Sequence, residues 1–322
     1  MFIYLCILVC LATLALTSVA AMIAIEMLAR AARRAALRFR FACSPTLLFS
    51  LYTFPFTISI VVTAAFVLPA FLVFEPRSTA ETPEPLLITL AIVGGGLIAA
   101  VLLRLTRSIL STRSLVRQWL RSGRSLVLGT KVAVHVVDYP ESMVAIAGIF
   151  APRVFIGEKA LKTLSDGEFR AAIEHEIAHV RSLDNLKHLA VGAARPPRFF
   201  KQFAALERRW RGSVEAAADR RALESGVSPY DLGGALVKIG RITSQPGPLS
   251  PGISYLLSAG EASGLDARIG HLEKILSEGT STSSAATASH LKILLAALAV
   301  GYVVLLPLWL TLTHQAIEWL VR

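Results

Sequence analysis

The segment His175-Glu176-Ile177-Ala178-His179 has the residue types and spacing that point most directly to chemistry. On a helix, positions i and i+4 share one face, so both imidazoles reach one ion. Zinc suits two such nitrogens, because catalytic zinc binds imidazole in a tetrahedral shell and keeps one position for water. Glu176 follows the first histidine and is placed to act on that water as general base. In such chemistry the ion lowers the water's pKa and polarises the scissile carbonyl. The glutamate takes a proton and later delivers it to the leaving amine. A third protein ligand is needed, often a carboxylate from a later helix. Glu215 offers one on the next predicted helix; the plainer reading is a solvated carboxylate among Arg208, Arg209, Arg211, Arg220 and Arg221. Asp219 follows one turn later on the same face. It is either a hydrogen-bond acceptor that orients a ligand histidine or a surface ion-pair partner.

These residues need a helix pair and a platform. Ser165 and Glu168 have capping-box spacing, so one long helix is predicted from about Asp166 to Val191. Pro196 and Pro197 break the chain. A second helix is predicted from about Arg198 to Ser225, stopped by Gly226 and Pro229, with shorter helices over Asp231–Ile242 and Leu265–Leu276. Upstream, Lys131–Val137, Met143–Phe150 and Arg153–Ile156 are β-rich and separated by Pro140 and Pro152. Val144–Ile149 reads equally as an ordinary strand and as an edge that pairs with an extended peptide. His188 is expected to serve packing or surface, Trp210 and Trp309 packing or a membrane interface. Asp184 receives no chemistry from its spacing.

Beyond the metal-site pattern itself, the run Ala147-Gly148-Ile149-Phe150-Ala151-Pro152-Arg153-Val154-Phe155-Ile156 resembles the strand pair before the metal helix in peptidase family M56, which includes membrane-bound antibiotic sensors. Leu164-Ser165-Asp166-Gly167-Glu168-Phe169-Arg170 and His175 through Asn185 continue the likeness. Glu215-Ala216-Ala217-Ala218-Asp219 is similar to the third-ligand helix of both M56 and M48 peptidases. The resemblance covers about residues 1 to 313 and is most specific over 144 to 224. It implies a zincin-like gluzincin domain facing the cytoplasm, with His175, His179 and Glu215 on zinc and Glu176 catalytic. Related enzymes place cleft residues on a later helix, which makes His271 and Arg268 possible oxyanion stabilisers. The sensors carry an extracellular ligand-binding domain after their last span. Only His314–Arg322 follow here, so β-lactam sensing is not expected. An asparagine that the M48 pattern expects before the metal helix is absent from Met143-Val144-Ala145-Ile146.

The rest of the 322 residues set the context: 54% are hydrophobic, only 17% are charged, and net charge is +11. Four apolar stretches are long enough for a bilayer: Phe2–Ile25, Leu47–Phe74, Leu86–Leu103 and Ile293–Thr313. The first lacks the positive start of a cleavable signal. Pro55 and Pro69 predict kinks in the second, and Gly94, Gly95 and Gly96 a close helix approach in the third. Arg30, Arg33, Arg34, Arg38 and Arg40 follow span one, and Arg104, Arg107, Arg113, Arg117, Arg121 and Arg124 follow span three. By the positive-inside rule both termini lie outside and 104–290 lies in the cytoplasm. The basic residues sit beside spans and form no helix-turn-helix or aromatic-basic pattern, so nucleic acid is not an expected partner. Cys6, Cys10 and Cys43 give no disulfide framework.

The sequence therefore predicts a mainly α multi-pass protein of a bacterial inner membrane. Residues 1–103 form a membrane region with spans at about 2–25, 47–74 and 86–103. Residues 104–276 form a cytoplasmic α+β zinc metallopeptidase domain, 277–290 a linker, and 291–322 the fourth span with a short outer tail. One Zn2+ per chain is expected. The substrate is a protein or peptide, such as a cytosolic regulator or a membrane protein, cut in regulatory or signalling proteolysis. The other readings are an M48-like quality-control protease and a zinc-binding signalling module that does not cut.

Overall fold

The computed structural model describes residues 1–35, 44–76, 82–126, 132–138, 143–242, 253–255, 268–270, 311–313 and 315. Three helical runs, Phe2–Ala31, Pro45–Phe74 and Pro85–Ser122, are long and apolar enough to cross a membrane. They lie within α1 (Phe2–Ala35), α2 (Pro45–Val62) with α3 (Leu68–Phe74), and α4 (Pro85–Ser122). Ser44 caps α2 by accepting from the Leu47 N–H, and Pro45 pre-sets its first turn. Between α2 and α3 the helix widens into a π turn at Thr63–Val67. The distortion sits just before Pro69, whose ring would clash with the carbonyl four residues back. Pro55 stays inside α2 without interrupting it. A Cβ on Gly94 would overlap the Leu11 carbonyl, so the backbones of α1 and α4 touch there. Gly95 and Gly96 make no such approach.

Helix α4 carries the chain out of the apolar region without a break, across the boundary the sequence suggested at 103. A five-stranded sheet follows, in the order β1 (Arg124–Leu126), β2 (Val134–Val137), β4 (Arg153–Gly157), β3 (Val144–Ala147), β5 (Ile253–Tyr255). Strands β2 and β4 are parallel and the other pairs antiparallel. The three β-rich patches are present, the first two as shorter strands and the third one residue longer. Of the two readings of this strand, an ordinary strand or a peptide-pairing edge, β3 takes the first. It pairs with β4 on one side and β5 on the other, and all four of its residues are buried. An extended peptide therefore has no free β3 backbone to pair with.

Helices α5 (Glu158–Thr163), α6 (Asp166–Arg181), α7 (Asp184–Ala193), α8 (Lys201–Glu224) and α9 (Pro229–Ile242) complete the described domain. Its core packs Val136, Ile146 and Ile156 of the sheet against Ile173 and Ile177 of α6 and Leu236 and Ile239 of α9. The single helix predicted over Asp166–Val191 is two helices. Leu183 adopts a left-handed conformation (φ 54°), which ends α6 and starts α7 in a new direction. A second cluster joins membrane helices to the domain: Met22 and Ile25 of α1 and Leu48 and Tyr52 of α2 pack on Phe203, Trp210 and Val214 of α8. Of the helix expected over Leu265–Leu276, a turn at 268–270 is described. His271, Cys43, the 277–290 linker and almost all of the fourth span lie outside the described residues.

Candidate metal centre

Helix α6 is started firmly. The Ser165 hydroxyl accepts from the Glu168 N–H, and the Glu168 carboxylate accepts from the Ser165 N–H, completing the capping box. The apolar face of α6 enters the core, which buries His175, Glu176 and His179 on the side toward α8. His175 Nε2 and His179 Nε2 lie 3.1 Å apart. Glu215 of α8 places one carboxylate oxygen 3.5 Å from His175 Nε2 and the other 3.7 Å from His179 Nε2.

The tautomers are set from behind. His175 Nδ1 lies 2.9 Å from Asp219 Oδ1, and His179 Nδ1 lies 2.9 Å from Asp184 Oδ2. A proton on each Nδ1, facing a carboxylate, leaves both Nε2 lone pairs converging with Glu215 on one point. Lone pairs so close repel unless a proton or a cation lies between them. Zinc with ligands at about 2.0–2.2 Å would have tetrahedral edges of about 3.3–3.6 Å, close to this triangle. The buried His175, His179 and Glu215 group can therefore hold a metal ion.

The charges agree. Burial raises the pKa of Glu215, but His179, His175 and Arg268 outweigh it and bring the carboxyl to about 2. Burial likewise pushes up the Asp219 carboxyl, yet Arg268 and His175 hold it well below the usual carboxylate range. Burial lowers His175, and the close carboxylates of Asp219 and Glu215 more than compensate, raising it to about 9. Three carboxylates, Glu215, Asp219 and Asp184, meet two cations here, Arg268 buried against Glu215 and Asp219 and the part-exposed Lys187 on Asp184, a balance that attracts positive charge.

Glu176 differs from its neighbours. It is fully buried, and neither carboxylate oxygen has a hydrogen-bond partner among the described residues. Burial pushes its pKa up to about 7, against the pull of His175 and His179. An orphaned carboxylate beside a ligand cluster, poised near neutrality, is equipped to exchange protons with a small molecule such as water.

Arg268, read as an oxyanion stabiliser, stands in the cluster in a different posture. Its Nε and Nη2 donate to the two oxygens of Asp219 at 2.9 and 2.6 Å, and Nη1 lies 3.3 Å from Glu215. This locks Asp219 behind His175. Asp184 is the residue that sequence reasoning missed. Its position in His179-Val180-Arg181-Ser182-Leu183-Asp184 carries it away from the histidines on a continuous helix; the left-handed turn at Leu183 brings it back. The next residue, Asn185, donates to the Gly148 carbonyl at 2.9 Å and ties α7 to the end of β3. His188 packs on Trp210 with ring centroids 4.7 Å apart.

Against known proteins, the chain matches no family model, and no curated protein matches it.

Proposed function

We propose that this protein is a membrane-bound zinc metalloendopeptidase of the M56 type, cutting a protein substrate at a cytoplasmic active site. The observation that carries the reading is the convergence of two carboxylate-backed Nε2 atoms and Glu215, with the unpartnered Glu176 carboxylate beside them. His175, His179 and Glu215 hold the ion; Asp219 and Asp184 fix the ligand rings. A bound zinc ion supplies a lowered water pKa and polarisation of the peptide carbonyl. Glu176 accepts a proton from water and returns it to the departing amine. A site closed by four protein ligands would have no use for such a base, which argues against the non-catalytic reading. Arginines at the C-terminal end of α1 and along α4 support a cytoplasmic domain, and a tethered site near the bilayer suits a regulator or membrane protein as substrate.

The test is metal analysis and peptide-library cleavage with the detergent-purified full chain. About one zinc per chain is expected in the wild type and in Glu176→Gln, and none in His175→Ala or Glu215→Gln. Only the wild type should cleave. Cleavage by Glu176→Gln, or zinc retained without Glu215, would overturn the reading.

A further inference from the structure

We propose that the cavity where α1, α2 and α4 meet the turn between α7 and α8 binds one anionic phospholipid from the surrounding bilayer. The cavity measures about 170 Å³. Met22, Pro55, Leu97 and Ala100 give it apolar walls, and Arg104 and Arg195 stand in its lining. Among the described residues no acidic side chain lines it. Dry cavities of this size accept small apolar groups. Between membrane helices, the apolar group at hand is an acyl chain.

Three observations select an anionic head. Arg104 is the first charge after the apolar run of α4. It donates to the carbonyls of Ala193 and Arg195, and among the described residues no carboxylate pairs with it. Arg195 is 56% exposed, and its one ion pair among the described residues is with Glu207. Arg198 and Phe199 are exposed on the same turn, a basic-aromatic pairing suited to the headgroup layer. Deeper in the cavity, Ser18 is 1% exposed and its hydroxyl has no hydrogen-bond partner among the described residues. A buried hydroxyl without a partner is costly. A glycerolipid carries an ester carbonyl between head and chains, which is an acceptor for that hydroxyl. Cations at the rim, a lone donor within and apolar walls beyond follow the order of groups along such a lipid.

The test is native mass spectrometry of the full chain in detergent, titrated with phosphatidylglycerol, phosphatidylcholine or laurate. One phosphatidylglycerol per chain is expected, held about tenfold more tightly than phosphatidylcholine. Ala100→Phe fills the cavity and should abolish binding, while Arg195→Gln should weaken it about fivefold. Arg195 is exposed, so that variant still decides the matter where Ala100→Phe does not fold. Equal affinity for the two phospholipids, binding of laurate without phosphatidylglycerol, or unchanged affinity in Arg195→Gln would each overturn the proposal.

Discussion

Helices α7 and α8 each have a metal-facing end and a membrane-facing end, and the two ends are held by similar residues in different surroundings. At the metal end, Asp219 is buried with Arg268 and His175, and Asp184 is buried with His179. At the membrane end, Glu207 is shared by Arg195 and Arg211, whose side chains are 56% and 41% exposed. Glu26 of α1 accepts from the Gln202 N–H at 2.9 Å and caps α8, whose own N-cap residue Phe200 supplies no side-chain bond. The difference is one of solvent. Water can replace a lost partner around Glu207, whose two arginines reach solvent. It cannot at the metal end, where a removed carboxylate strands a buried cation.

The contrast is sharpest at Asp219. Asp219→Ala should cost about 3–5 kcal/mol of stability, because Arg268 stays buried without its bidentate partner. It should also weaken zinc binding about 10- to 100-fold as His175 loses its orientation. Denaturant melts and competition with a chelator check both. Near-wild-type stability would mean that Arg268 escapes to water and that the metal end is no drier than the other.

His188 lies between the two ends. Burial, reinforced by Arg211 and His179, lowers its pKa from 6.5 to about 4 against Glu215 and Asp184. The folded state thus resists protonation. Its contribution is fully present above pH 6.5 and lost as pH falls through about 4, amounting to about 3 kcal/mol over that window. His188→Leu should flatten the acid limb of the stability curve; an unchanged limb would remove His188 from the account.

Asp184→Asn should weaken zinc binding about tenfold with a smaller loss of stability, since its other partner, Lys187, is 33% exposed and can turn to water. At the membrane end the effects shrink further. Glu26→Gln should cost about 1 kcal/mol, the value of a helix cap, and leave zinc content unchanged. Glu207→Gln should cost less than about 1 kcal/mol, and its effect should fall as salt rises. A Glu207 effect as large as that of Asp219 would erase the distinction between the ends.

What the sequence revealed follows the range of the interactions. His175 and His179 are one turn apart, so their shared face is local information. The capping box at Ser165 is equally local and forms as read. Glu215 lies on another helix and was reachable through the need for a third ligand. Asp184 was not, because its placement depends on a left-handed residue at Leu183, and leucine gives no turn signal. The same holds for β5, three residues whose strand character comes from pairing with β3 rather than from their own pattern. That pairing is what decides between the two readings of β3. The π turn before Pro69 was foreshadowed by the proline, though its position was not.

The Glu26–Gln202 bond joins residues 176 positions apart. During synthesis at 5–20 residues per second, Glu26 is made roughly 10–35 s before its partner exists. Through that interval a carboxylate at the end of an apolar helix has Arg30, one turn away at 3.0 Å, to offset its charge. Arg30 thus serves a nascent chain before it serves the finished one, and α1 takes its final setting only after the second metal helix has been made.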